Sequence, residues 1–296
     1  MEDERMKADI GAILLATDDS EDARESERVA LDICRYTGAA LHVVHVWDYA
    51  PIVYDAYAIP FSEDDYQLCE DAARAVLASS VARLIARGGA VAGQHLRRGQ
   101  SVDEIVAAAR EFGADLIVLG SRGLGPVRRL VLGSVSEGVA HSTPVPVLVV
   151  RGGATTWPPV RIIVGDDGSG DALAALELAA TLAGATGAHL TLARAFPATR
   201  QSDDTVLVAT EKAMQARARQ VFGECSDSVQ IVAACEDPTA LLLRLATEET
   251  ALIAVGSRGL RLLERVRLGS TSTKVLHAAH GSVLVVPHHQ DRAANQ

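Results

Sequence analysis

Two stretches of this 296-residue chain carry glycines, hydroxyls and a cation at matched spacing. The first reads Gly120-Ser-Arg-Gly123, nine residues, then Gly133-Ser134-Val135-Ser136. The second reads Gly256-Ser-Arg-Gly259, nine residues, then Gly269-Ser270-Thr271-Ser272. Each follows an apolar run, DLIVLG or ALIAVG, and each precedes a segment of helical pattern. Glycine at a strand end lets backbone approach a ligand closely or adopt positive φ. A Gly-Ser pair opening a helix presents unpaired amides and a hydroxyl to an anion, so the pattern can cradle phosphate. A local alternative competes with it: Ser134 followed three residues later by Glu137 has the form of a capping box, in which the serine serves its own helix. Arg122 and Arg258 lie inside the loops, where a guanidinium either adds charge to phosphate binding or stays solvated.

The fronts of the two halves also match. ILLATDDS begins at Ile13 and IIVGDDGS at Ile162, and in both an apolar run stops at Asp-x-Ser. Residues 115–150 match residues 251–286 at 18 of 36 positions without a gap, which makes duplication the simplest origin. The offset between halves is 149 at Asp18 and Asp167 but 136 at Gly120 and Gly256, leaving 13 extra residues in the first half. The aromatic, Pro-punctuated stretch WDYAPIVYDAYAIPF, from Trp47 to Phe61, reads as a long loop that holds them.

Elements that would position these residues follow from periodicity. In the first half, AILLAT, LHVVHV, a strand near Gln94, DLIVLG and PVLVV alternate with helical stretches over about 21–37, 64–87, 102–112 and 135–141. The second half repeats the order. This predicts an α/β protein of two tandem, doubly wound domains, each a parallel sheet covered by helices, with ligands at the carboxyl ends of the strands. RGGATTWPPV marks a linker. The expected boundaries are domain one over 1–152, linker 153–159, domain two over 160–287 and a polar tail over 288–296. The closing strands, Val147 to Val150 and Val283 to Val286, would each leave an exposed edge, so the halves are expected to pair with one another.

Composition narrows the classes. Apolar residues make up 48% while aromatics are 4%, so Ala, Val, Leu and Ile carry the core, as covered sheets require. A net charge of −10 argues against a nucleic-acid footprint. Cys34, Cys69, Cys225 and Cys235 show no metal-ligand spacing, and no metal is expected. The opening MEDERMKADI is charged and no apolar run reaches the length of a membrane span, so the expectation is a soluble, cytoplasmic protein.

The pattern G-x-x-G-x(9)-G-[S/T], present twice, resembles the ATP-binding branch of the universal stress protein family, over about residues 10–151 and 160–287. The resemblance implies a five-stranded parallel sheet per domain, bound ATP with or without Mg, and a homodimer as a common assembly. Carried onto this chain, it puts Asp18 and Asp167 at the ribose or adenine edge, with backbone groups of Thr17 and Asp166 near the base. Val46 and Ala195 fall on the adenine wall. Gly120, Gly123, Gly133, Ser134, Val135 and Ser136 line one phosphate path, and Gly256, Gly259, Gly269, Ser270, Thr271 and Ser272 the other.

A P-loop would need Gly-Lys-[Ser/Thr], which the chain lacks, and a Rossmann dehydrogenase would need G-x-G-x-x-G where Asp-x-Ser stands. The favoured role is an ATP-binding regulatory module of the stress response, against the alternatives of a slow ATP hydrolase or a binder of cyclic AMP or AMP. The first site is expected to be the tighter. Gly99 is matched by Cys235 or Glu236 depending on alignment, and Val46 by the smaller Ala195.

Overall fold

The computed structural model describes residues 10–48, 53–54, 57–58, 63–123, 132–152, 157–196, 204–246, 251–257 and 268–287. The predicted polar tail, Arg258, Gly259 and part of the linker lie outside these residues. In the first domain the strands are β1 (Ala12–Ala16), β2 (Ala40–Trp47), β5 (Gly93–Arg98), β6 (Leu116–Gly120) and β7 (Val147–Val150). The helices are α1 (Glu21–Thr37), α2 (Glu63–Ala86), α3 (Ser101–Glu111) and α4 (Ser134–Ser142). A two-stranded antiparallel piece, β3 (Val53–Tyr54) and β4 (Tyr57–Ala58), lies within the stretch read as loop. The second domain repeats the series with β8 (Arg161–Gly165), α5 (Gly170–Thr186), β9 (His189–Ala195), α6 (Asp204–Phe222), β10 (Gln230–Ala234), α7 (Pro238–Leu245), β11 (Ala251–Gly256), α8 (Ser270–Ala278) and β12 (Val283–Val286). A 3₁₀ turn, Gly223–Ser228, links α6 to β10.

The same local chemistry bounds the first helix in each half. Ser20 and Ser169 cap α1 and α5, each accepting from an amide three residues on at 3.2 Å. Gly38 and Gly187 end these helices in the left-handed conformation, at φ 77° and 74°, where a side chain would be strained.

Strand order is β10-β9-β8-β11-β12-β7-β6-β1-β2-β5. Pairing is parallel within each half and antiparallel between β7 and β12, so the closing strands cover one another's edges and ten strands form one sheet. One apolar layer joins α1, α2, α5 and α6 to the sheet, and the other lies under α3, α4, α7 and α8. Both layers run through the two halves.

Sheet register also places the extra residues. His42 pairs with Gly93 and Thr191 with Gln230, so the offset of 149 at β2 and β9 has become 137 at β5 and β10. Ile13 opposite Leu116 and Ile162 opposite Leu252 give 136 at β6 and β11. Twelve of the 13 residues therefore precede β5, and one follows it. Gly99 is thereby equivalent to Glu236, not Cys235.

The linker is not wholly solvated. Trp157 is buried in the α1 and α5 layer, and its carbonyl accepts from Arg28 Nη1 at 2.9 Å.

Candidate functional site

At β1 the strand order reverses: β2 follows on one side, while β6 returns on the other. The carboxyl ends of such a pair diverge and leave a crevice. A cleft of about 390 Å³ opens there, lined by Thr17, Asp18, Val46, Gly120, Arg122, Gly123 and Gly133 through Ser136, whereas Gly99 and Glu137 lie outside it.

Its polar end is built from the start of α4. Gly133, extended at φ −73° and ψ 144°, takes the N-cap position without a side-chain cap. Its own amide donates to Ser121 O at 2.8 Å, and Glu137 N begins the helical ladder by donating to Gly133 O at 3.0 Å. The amides of Ser134, Val135 and Ser136 have no hydrogen-bond partner among the described residues. The capping-box alternative, which competed with the phosphate cradle, therefore does not form. Ser134 stands one position inside the helix, and Glu137 reaches out to His277 Nε2 at 3.1 Å instead of back to the cap. Ser136 Oγ donates to Gly120 O at 2.7 Å, tying the helix to the end of β6.

Glycines are needed where backbones meet. A Cβ on Gly120 would lie 2.8 Å from Ala23 N, and one on Gly123 would lie 2.5 Å from Asp18 Oδ2. Asp18 thus overhangs the glycine loop while its Oδ1 accepts from Ser20 N at 3.1 Å. Ser20 has two tasks: its hydroxyl caps α1 and donates to Arg122 O at 3.1 Å. Both backbone groups of Thr17 are engaged, the amide with Val44 O at 3.0 Å and the carbonyl with His45 Nδ1 at 2.7 Å. Thr17 lines the cleft with these two groups already engaged.

The apolar end is formed by Ala16, Val44, Val46, Ile105, Leu119 and Leu132. Of these, Val46 alone was singled out from sequence; the others look like ordinary core positions until the sheet places them on one face. Asp22 was also missed. It is 2% exposed, accepts Ser121 Oγ at 2.5 Å, and forms a two-point ion pair with Arg122 at 2.9 and 2.6 Å. Hydrogen bonding to Asp22 holds the Arg122 pKa above its usual value.

In the second domain the cradle recurs. Gly269 caps α8 without a side chain, Gly269 N donates to Ser257 O at 2.6 Å, and Ser272 Oγ donates to Gly256 O at 2.7 Å. Asp167 Oδ1 accepts from Ser169 N at 2.9 Å, and Ser257 Oγ donates to the buried Asp171 at 3.1 Å. Ser270 and Thr271 open the helix as their counterparts do. Asp166 is buried and ion-paired to Arg194 and Arg217, and its amide donates to Ala193 O at 2.8 Å.

The sequence profile of the universal stress protein family matches residues 10–151 and 160–287, most of the chain in two copies. The chain belongs to that family. It is a tandem universal stress protein. A universal stress protein of Thermus aquaticus is 39% identical over 140 residues, 47% of this chain and 97% of that protein. One from Methanocaldococcus jannaschii is 30% identical over 144 residues, 47% of this chain and 81% of that protein. The crystal structure of a universal stress protein from Archaeoglobus fulgidus superposes with a TM-score of 0.70 at 25% identity, covering 94% of this chain and 98% of that one. The two-domain, mostly parallel architecture is thus the family's fold.

Proposed function

We propose that the first-domain cleft binds ATP and that its occupancy, rather than turnover, is the protein's output. The observation that carries this reading is the meeting, in one cleft of about 390 Å³, of the unpartnered amides of Ser134, Val135 and Ser136 with an apolar wall of Val44, Val46 and Ile105. Amides at a helix start suit phosphate, and the wall suits a purine face. Asp18 between them can accept from ribose hydroxyls. Among the described residues no cluster of three His, Cys, Asp or Glu could hold a metal, so a Mg ion would arrive on the phosphates. Turnover is disfavoured because Asp22 is already held by Ser121 and Arg122, and Asp18 Oδ1 by an amide.

Calorimetric titration with ATP, together with native mass spectrometry of the freshly purified protein, tests this. Saturable ATP binding that Asp18→Ala weakens, without phosphate release, is expected. A folded protein that binds no ATP at roughly 1 mM overturns the reading.

A further inference from the structure

Asp22 lines the cleft, but it also touches the junction between the domains. A Cβ built on Gly152 would fall 2.4 Å from Asp22 Oδ1 and 3.4 Å from its Cα, so the carboxylate sits directly against the backbone that leaves β7. The preceding residue, Arg151, is buried and reaches into the second domain. Its Nη2 donates to Leu276 O at 2.7 Å and to His277 O at 3.3 Å, the last-turn carbonyls of α8. Its amide donates to Ser282 Oγ at 3.4 Å. Burial lowers the Arg151 pKa, the negative charge of Asp22 opposes that fall, and Arg122 adds to it. One carboxylate therefore lies within the field of two guanidiniums, one facing the cleft and one gripping the other domain.

We propose that Asp22 is a positioning residue that transmits occupancy of the first cleft to α8 of the second domain. This rests on the reading that the cleft takes a polyphosphate. An anion there draws on Arg122 and competes with Asp22 for its charge. The less neutralised Asp22 then attracts Arg151 across Gly152, where the absence of a side chain leaves the path open. Arg151 can turn to Asp22 only by giving up the carbonyls of Leu276 and His277, which loosens the end of α8. The chain of contacts is continuous, and both ends bias the same guanidinium.

Amide hydrogen exchange, followed by mass spectrometry on the full chain with and without ATP, tests the proposal. A Gly269→Val background puts a branched side chain at the N-cap of α8 to block an anion there, and the response is read against that variant without ATP, so that it reports the first cleft. Exchange at residues 276–279 is expected to quicken at least about threefold on ATP addition. In Arg151→Gln, ATP should bind the first cleft with an affinity within about threefold of the parent's, the size of the coupling itself, while the response at 276–279 disappears. In Asp22→Asn, which keeps an oxygen for the Ser121 hydroxyl but loses the charge, exchange is followed at ATP concentrations that saturate the variant at its own affinity, and α8 should again stay silent. A merely structural role for Asp22 would lower stability without separating binding from response. If ATP binds the parent protein with no change at 276–279, or if Asp22→Asn or Arg151→Gln still transmits the full change, the proposal is overturned on its own. No ATP binding by the unsubstituted protein overturns the function and the relay together.

Discussion

The two halves share the backbone at the start of α4 and α8 and differ in what stands around it. Among the described residues their N-caps and buried acids make matching hydrogen bonds: Gly133 with Gly269, Ser136 with Ser272, and Asp22 with Asp171. The apolar walls do not match. Ala16, Val44 and Val46 become Gly165, Ala193 and Ala195. A Cβ on Gly165 would lie 3.2 Å from Leu242 Cδ1 and 3.4 Å from Val255 Cγ1, so the protein's own side chains close on the position the smaller residue vacates. Duplication has kept the helix-start backbone in both copies, at Gly133 and Gly269, while the aliphatic residues beside β1 and β8 have become smaller in the second. Backbone geometry is fixed by caps and close approaches that tolerate few replacements, whereas a wall of aliphatic side chains can shrink one methyl at a time.

The sharpest test of this difference is to close each cradle in turn. Gly133→Val places a branched side chain 3.2 Å from Ser121 O and 3.4 Å from Arg122 Cα, and should weaken ATP binding more than about a hundredfold while the domain stays folded. Gly269→Val should remove far less of the calorimetric signal. Equal losses from the two substitutions would break the comparison.

Exchanging the residues before α3 and α7 comes next. Gly99 has φ 143°, and a Cβ there would meet Glu104 Oε1 at 3.1 Å, so Gly99→Glu should cost about 1–3 kcal/mol in urea unfolding. Glu236 sits at an ordinary negative φ and pairs with Arg244 at 2.5 Å. Glu236→Gly should change stability by less than about 1 kcal/mol.

A smaller effect is expected at the wall. Val46→Ala gives the first cleft the second cleft's residue and should weaken ATP binding by about 1–2 kcal/mol, for roughly two methyl groups of lost contact. Calorimetry on that variant checks it, and an unchanged affinity would detach Val46 from the site.

The smallest contrast concerns acid. His42 Nδ1 lies 3.1 Å from His95 Nε2, and both rings stack on Phe112, whereas the second domain has Thr191 and Val232 at the two imidazole positions. Burial, His42 and Arg97 hold the His95 pKa below its ordinary 6.5, and Glu111 pulls it back only in part. The unfolded chain thus binds this proton more readily, so the associated stability is present above pH 6.5 and is lost as pH falls below that value. Urea melts between pH 7.5 and pH 5 should show a shallow decline that His95→Gln flattens; an identical slope in that variant would rule the pair out.

Much of this was legible in the chain. The Asp-x-Ser turns, the repeated glycine spacing and the alternation of apolar runs give the fold, because each reflects a local backbone requirement. Asp22 was not legible: an acid in the first turn of α1 looks like an ordinary helix-dipole residue until the fold brings Ser121 and Arg122, about a hundred positions on, against it. The same holds for Glu137, whose true partner lies in the other domain. The extra residues were assigned to the aromatic loop, yet one of them falls beyond β5, since gaps inside a weakly patterned stretch leave no trace in sequence until strand pairing fixes the register.

Antiparallel pairing of β7 with β12 gives the helix starts at Gly133 and Gly269 opposite headings. In the ten-stranded sheet the strands of one domain run against those of the other, so their carboxyl ends lie at opposite margins. Two strands, β12 and β7, also separate β11 from β6, a lateral offset of at least about 14 Å at ordinary strand spacing. That exceeds the screening length of about 8 Å in physiological salt, so charge on an anion in one cleft is hardly felt in the other through solvent. Any cooperativity between the two ends must pass through contacts inside the protein, such as those that Asp22 and Arg151 make at the junction.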